Sequence, residues 1–226
     1  YAFVLGLLCG YPMGAKLTAD LYHAGKISRQ ESEYLLTFCN NPSPAFLVTY
    51  VGQICLEGKV PVGFLVGILF LSDMTCMCFF RFFVFRKKST PVLADLESTE
   101  NRAAAQGGIL DSVIMNSFET MAKLGGYILM FSIISACVSH FWFLPPGGKY
   151  IFFGMIEVTT GVHRLLFSGF PFRLRVLLAL CMSAFGGLCI VAQTKSVLGK
   201  ELSLHPYASA KCMNAAVTAV LILIFL

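Results

Sequence analysis

Residues 60–88 read Val60-Pro61-Val62-Gly63-Phe64-Leu65-Val66-Gly67-Ile68-Leu69-Phe70-Leu71-Ser72-Asp73-Met74-Thr75-Cys76-Met77-Cys78-Phe79-Phe80-Arg81-Phe82-Phe83-Val84-Phe85-Arg86-Lys87-Lys88. Between Val60 and Phe85 only Asp73 and Arg81 carry charge, and a run of about 20 apolar residues suffices to cross a hydrocarbon core as a helix. Two more runs, 124–144 and 206–226, have the same character, so three spans are expected. The whole chain agrees: 57% of its 226 residues are hydrophobic and 13% charged, with a mean hydropathy of +0.75. A soluble domain has about 45–50% and about 25%. The expected fold class is an all-α polytopic membrane protein embedded in a lipid bilayer. The chain starts at Tyr1 within apolar sequence, which suggests an N-terminal truncation.

The net charge of +5 has a local source in Arg81, Arg86, Lys87 and Lys88 at one end of the 60–85 run. The positive-inside rule makes that end cytoplasmic. Charges that flank a span do not form a solvated basic stripe, so nucleic acid is not an expected partner. The nine cysteines lie in or beside apolar runs and read as small buried hydrophobes. Cys76 and Cys78 point to different helix faces with no His nearby in the chain, so no metal site and no cofactor is expected.

Residues 87–108 form a polar linker between a first half, 1–86, and a second, 109–226. In the first half an apolar run is interrupted at Gly10-Tyr11-Pro12-Met13-Gly14 and resumes over 12–24, with Pro12 as first helical residue and Gly25 as terminator. Ser28 and Glu31 form a capping box for a helix over 29–39. That helix stops at Asn40-Asn41-Pro42-Ser43-Pro44, and Ser43 as N-cap starts another helix to about Leu56. The expected unit is a broken helix followed by a helical hairpin. The second half repeats this grammar: residues 109–122 suit a surface helix, Glu157-Val158-Thr159-Thr160-Gly161 interrupts an apolar helix, and Phe185-Gly186-Gly187 hinges the pair 172–184 and 188–199. Matched interruptions in two halves point to a transporter site at the interface of repeats, as in inverted-repeat folds.

A helix that starts within the membrane exposes unpaired N–H groups and partial positive charge, which an anionic or carbonyl-bearing ligand can satisfy. Such starts are expected near Pro12, Ser43, Thr160 and Gly187. Asn40, Asn41, Ser43, Thr159, Thr160 and Gln193 add neutral polar groups around them, and Glu157, Lys16, His163 and Arg164 add ionisable ones. Lys16 and Arg164 are equally suited to snorkelling towards headgroups. Asp73 reads as a structural partner for some other group.

The stretches Gly10-Tyr11-Pro12-Met13-Gly14-Ala15-Lys16 and Cys39-Asn40-Asn41-Pro42-Ser43-Pro44-Ala45-Phe46 resemble signatures of the YlbJ (SpoVV) family of sporulation integral membrane proteins. Its two gate-type nucleoside-recognition domains are similar in design to concentrative nucleoside transporters. Glu157–Gly161 and Phe185–Gly187 with Gln193 resemble the second gate domain. The resemblance implies transport of dipicolinic acid, a small anionic substrate, from the mother cell across the outer forespore membrane of a spore-forming bacterium. It sets the expected substrate-binding residues as Tyr11, Pro12, Gly14, Lys16, Asn40, Asn41, Ser43, Phe46, Glu157, Thr159, Thr160, Gly186, Gly187 and Gln193, with Tyr11 or Phe46 facing the ring. Glu157 is awkward beside a dianion: it is expected to be protonated by desolvation, paired with Lys16 or Arg164, or charged with a coupling proton. The other readings are a non-transporting gate-fold scaffold or sensor, and a carrier of another small anion or nucleoside-like metabolite. No enzyme is expected, since no Gly-x-Ser-x-Gly or His-Glu-x-x-His motif is present. A cysteine introduced at Ser89, in a background without the native thiols, should react with an impermeant maleimide only after the membrane is opened. Labelling of intact cells at that position contradicts the orientation.

Overall fold

The computed structural model describes residues 2–86, 109–141 and 146–226, so the expected linker at 87–108 lies outside the described residues. The described chain is all-α and polytopic. Its helices are α1 (Ala2–Cys9), α2 (Met13–His23), α3 (Arg29–Cys39), α4 (Phe46–Cys55, entered through Pro44 and Ala45), α5 (Val62–Val84), α6 (Ile109–His140), α7 (Pro146–Ile156), α8 (Val158–Leu165), α9 (Phe172–Phe185), α10 (Gly187–Leu198) and α11 (His205–Phe225). Among the described residues four stretches are long and apolar enough to cross a membrane: α5, Val113–His140 of α6, α9 with α10, and α11. The fourth, Phe172–Leu198, was hidden in the sequence by its own break at Gly186.

Local signals behave as their chemistry requires. Ser28 and Glu31 close a complete capping box at the start of α3, and Gly25 follows α2 with φ +67°. Pro12 stands one position earlier than expected, as the cap residue before Met13. The expected surface helix over 109–122 is instead the first part of α6, which runs unbroken for 32 residues. At 1.5 Å per residue that is about 48 Å, well beyond a hydrocarbon core of about 30 Å, so its polar start with Asp111, Asn116 and Glu119 projects past the core. The cysteines divide: Cys39, Cys55, Cys76 and Cys189 are buried, whereas Cys9, Cys78, Cys137 and Cys212 are exposed on the outside of the helix bundle.

The order within each half is the reverse of the expected one. A hairpin comes first and the broken helix second. α1 folds back against α2 so closely that a Cβ on Gly6 would lie 3.0 Å from the Gly14 Cα. In the second half α7 folds back against α8, and a Cβ on Gly161 would lie 2.1 Å from the Gly154 Cα. By contrast α3 and α4 run on from each other along α5: Tyr34 of α3 packs on Phe85 and under Arg81, while Gly52 of α4 sits against Leu65. α9 and α10 likewise run on from each other as one span, α9 beside Ala215 and Ile222 of α11 and α10 against α2, α6 and α7, with Leu198 at its end sharing a cluster with Tyr207. Interruption looks the same in sequence whether the chain turns back or carries on. The small residues that let two helices touch decide which it does.

Contacts fix which ends lie together. At one end Glu33 accepts from the Ser203 N–H at 3.3 Å, and Ala19, Leu36, Leu198 and Leu202 share a core. This end holds Lys26, Arg29, Arg81, Arg86, Lys195 and Lys200. At the other end Arg175 meets Glu57 at 3.8 Å, Lys59 lies over Phe172, and the Lys59 ammonium holds the Glu57 carboxyl below its ordinary value. α6 joins the two: Asn116 bonds Lys16 near the first end and Ser139 bonds Arg164 near the second. The α1–α2 hairpin therefore enters from one side and the α7–α8 hairpin from the other.

Both hairpins depend on the absence of a side chain at their crossings. Gly14→Ala would drive a methyl to 2.0 Å from the Cys39 carbonyl oxygen, and Gly161→Ala would drive one into the Gly154 backbone. Each should lower the thermal midpoint of the purified protein, overpacking typically costing about 1–3 kcal/mol. Gly67→Ala, which meets open space, should leave it unchanged or raise it. Wild-type melting of both crossing variants would contradict the packing.

Candidate functional site

The four interruptions converge. Gly10, at φ +77°, lies against the second break so tightly that a Cβ there would be 2.8 Å from the Ser43 nitrogen. Tyr11 donates to the Ser183 carbonyl of α9 at 3.2 Å and its ring covers Gly186. Gly187 turns towards the carbonyls of Gly154, Met155 and Ile156 at the end of α7. Tyr50 of α4 donates to the Thr159 carbonyl at 2.9 Å. Between them lies a cavity of about 220 Å³. Its wall takes Gly10 and Tyr11 from the first hairpin tip, Pro42, Ser43 and Phe46 from the first broken helix, and Glu157, Val158 and Thr159 from the second hairpin tip. Ser183, Cys189, Ile190 and Gln193 of the second broken helix complete it, with Leu124 and Ile128 of α6 on the remaining side.

Of the expected substrate-binding residues, Tyr11, Ser43, Phe46, Glu157, Thr159 and Gln193 therefore line one cavity. Ser43 caps the helix that follows, its Oγ accepting from the Phe46 N–H at 3.2 Å. Phe46 stacks on Tyr50 with centroids 5.3 Å apart. Gln193 is buried and donates to the Cys189 sulfur. The other expected residues stand behind the wall. Gly14 closes the hairpin against Cys39, and Pro12 borders a small crevice with Thr120 and Val197. Asn40 donates to Thr194 Oγ1 at 2.9 Å. Asn41 donates to the Phe38 carbonyl at 2.8 Å and its Oδ1 accepts from Lys211. Lys16 turns away to Asn116 at 2.9 Å.

Glu157 differs most from expectation. The break at 157–161 is a single residue: Glu157 is extended and α8 starts at Val158. Its carboxylate takes the Thr159 N–H at 2.9 Å, the Thr160 N–H at 2.7 Å and the Thr159 hydroxyl at 2.6 Å. It pairs with neither Lys16 nor Arg164; the latter binds Ser139 and lies 4.1 Å from the Phe153 ring centre. The α8 N-terminus is thus filled by the protein's own acid, which sits at the favourable end of the helix dipole. α10 has no side-chain cap, and its first turn supplies Cys189 and Ile190 to the wall.

Sequence reading passed over a buried polar column on α11. Lys211 is 1% exposed and its Nζ donates to Asn41 Oδ1 and to the Tyr11 hydroxyl. Asn214 donates to Asp73 and accepts from Ser72 at 2.6 Å, and Thr218 donates to Ser72 at 3.1 Å. Asp73 is thus a structural partner, as its setting implied. The signal was present: a lysine within an apolar span is costly and calls for a partner.

No family model matches the chain, and no solved structure matches it. Among curated proteins it is similar to the sporulation integral membrane protein YlbJ of Bacillus subtilis (strain 168), 24% identical over 265 aligned residues. The match covers 99% of this chain and 63% of YlbJ, so the chain spans less than two thirds of that relative. The resemblance carried by the two first-half motifs thus extends along nearly the whole chain, and the protein is an integral membrane protein.

The capping geometry sets an order of stability. Glu157→Ala removes the acceptor for two helix-start amides and should lower the thermal midpoint, loss of a cap costing about 0.5–2 kcal/mol. Ser43→Ala frees one amide and should cost less, and Glu157→Gln, which keeps a carbonyl acceptor, should fall between wild type and Glu157→Ala. A Glu157→Ala variant that melts like wild type contradicts the capping role.

Proposed function

We propose that this chain, as a relative of YlbJ, is the membrane core of a sporulation carrier that moves dipicolinic acid from the mother cell across the outer forespore membrane. The observation that carries the reading is the single cavity where two hairpins inserted from opposite sides meet two broken helices. Backbone without helical bonds is tolerated at membrane depth only where protein or a watery cavity satisfies it, and such broken elements build the sites of carriers with inverted repeats. We read the two halves as such a pair.

The cavity suits a single small ring. Its volume of about 220 Å³ is below the roughly 300–1,000 Å³ of drug-sized sites. The Phe46 ring offers a face, Ser43, Thr159 and Gln193 offer hydroxyl and amide groups, and the uncapped start of α10 offers the positive end of a helix to a carboxylate. Glu157 is bound to α8 and leaves the substrate to be held from the α10 and Tyr11 side.

Strains carrying Asn41→Ala, Ser43→Ala or Glu157→Gln should keep the protein in the membrane while their spores hold less dipicolinate than wild type, with normal synthesis in the mother cell. Asn41→Ala should have the largest effect, because it strips the Lys211 ammonium of a partner. Uptake of labelled dipicolinate into vesicles separates transport from a scaffold role: a scaffold leaves vesicles empty. Normal spore filling by all three variants at normal protein levels would overturn the site.

A further inference from the structure

The cavity wall contains a carboxylate, Glu157, and no lysine or arginine. A site for a carboxylate ligand needs positive potential from somewhere, and Lys211 is the described cation placed to give it. Lys16, Lys123, Arg164 and Lys195 bond Asn116, Glu119, Ser139 and the Gly199 carbonyl, none of which lines the cavity. Lys211 instead bonds Tyr11, which does.

The ammonium is held by neutral groups: Asn41 Oδ1, the Tyr11 oxygen, and the ring faces of Tyr11 at 5.0 Å and Tyr207 at 5.8 Å. Among the described residues no carboxylate forms an ion pair with it. Asp73 acts on it from farther off and is itself held by Asn214. Its charge is therefore not cancelled at contact. Its polarising effect reaches the cavity along a directed chain in which Nζ donates to the Tyr11 oxygen and the Tyr11 O–H donates to the Ser183 carbonyl. A hydroxyl that accepts from an ammonium becomes a stronger donor, since hydrogen bonds in a chain polarise one another. Ser183 lies in the last turn of α9, where carbonyls lack helical partners. A ligand carboxylate that shares this O–H with the carbonyl gains a charge-assisted bond, which a neutral ligand group does not exploit equally.

Building on the carrier reading, we propose that Lys211 is the specificity-determining residue of the cavity, its ammonium acting through the Tyr11 hydroxyl to select a carboxylate over a neutral group. It touches Tyr11 rather than the ligand and is a positioning residue in that sense. Asn41 keeps its Nζ in place, which couples the second break to the selectivity of the whole site.

The test is uptake into vesicles of two isosteric probes, dipicolinate and pyridine-2,6-dicarboxamide, by the full-length protein. Wild type should prefer the dicarboxylate. Lys211→Met should lower that preference by about tenfold or more, as expected for a bond to a charged group, while Lys211→Arg should restore much of it. Tyr11→Phe should lower the preference too, although the lysine remains, and it serves if Lys211→Met does not accumulate. A purely structural lysine would change total uptake of both probes and leave their ratio alone; an unchanged ratio in Lys211→Met or Tyr11→Phe overturns the assignment. Wild-type protein that prefers the dicarboxamide also overturns it, with the carrier reading intact. Wild-type protein that moves neither probe overturns the carrier reading and this assignment with it.

Discussion

Everything in this fold depends on unpaired backbone at membrane depth, which lipid cannot satisfy and the protein must. Apart from the start of α10, which has no side-chain cap, these broken ends find partners on another broken element or in their own caps. The Met13 N–H returns to the Gly10 carbonyl at 2.9 Å, the Phe46 N–H finds Ser43, and two amides of α8 find Glu157. Carbonyls in the last turns of helices are met by side chains, Phe38 by Asn41 and Ser183 by Tyr11, and Tyr50 donates to the Thr159 carbonyl in the first turn of α8. Two of these bonds reach across the halves, from Tyr11 and Tyr50 of the first to carbonyls of the second. Satisfying the backbone is the same act as assembling the cavity.

Packing supplies the second condition. The hairpins reach the centre because Gly6, Gly14, Gly154 and Gly161 let backbones touch, and the hinge between α9 and α10 closes because Gly186 and Gly187 hold φ of +85° and +82°, which side chains oppose. The apolar core is shared between elements of both halves, with Leu47, Val51 and Leu65 packed in one cluster with Val162, Val176 and Leu180. α6 stands apart. Only 6% of its spanning stretch is buried, and through Leu124 and Ile128 it closes one side of the cavity. Its exposed Leu129 and Ile133 give lipid the apolar face it requires.

Much of this was legible in residues 1–226 alone, for reasons that differ by element. Capping chemistry is local, so Ser28 with Glu31, and Ser43 before Pro44, could be read directly. Long apolar runs gave α5 and α11. What local chemistry cannot show is direction after a break: Gly10–Pro12 and Asn40–Ser43 look alike on the page, yet one reverses the chain and the other continues it. That choice rests on glycines eight and seven residues apart, Gly6 with Gly14 and Gly154 with Gly161, meeting across a crossing. Lys211 escaped notice because Leu221 to Leu226 and its other neighbours dominate the hydropathy of α11. Glu157 caps α8 as well as lining the cavity because the helix starts directly after it, at Val158, earlier than the expected start near Thr160.

The central claim is that these four breaks form one binding site rather than four separate hinges. Cryo-electron microscopy of the full-length protein in lipid nanodiscs with saturating dipicolinate addresses it directly. The account predicts density for one planar ligand bounded by Phe46, Tyr11, Glu157 and Gln193, with the start of α10 at one carboxylate. A map with that space collapsed or empty and the ligand elsewhere, or with the two hairpin tips apart, would contradict it.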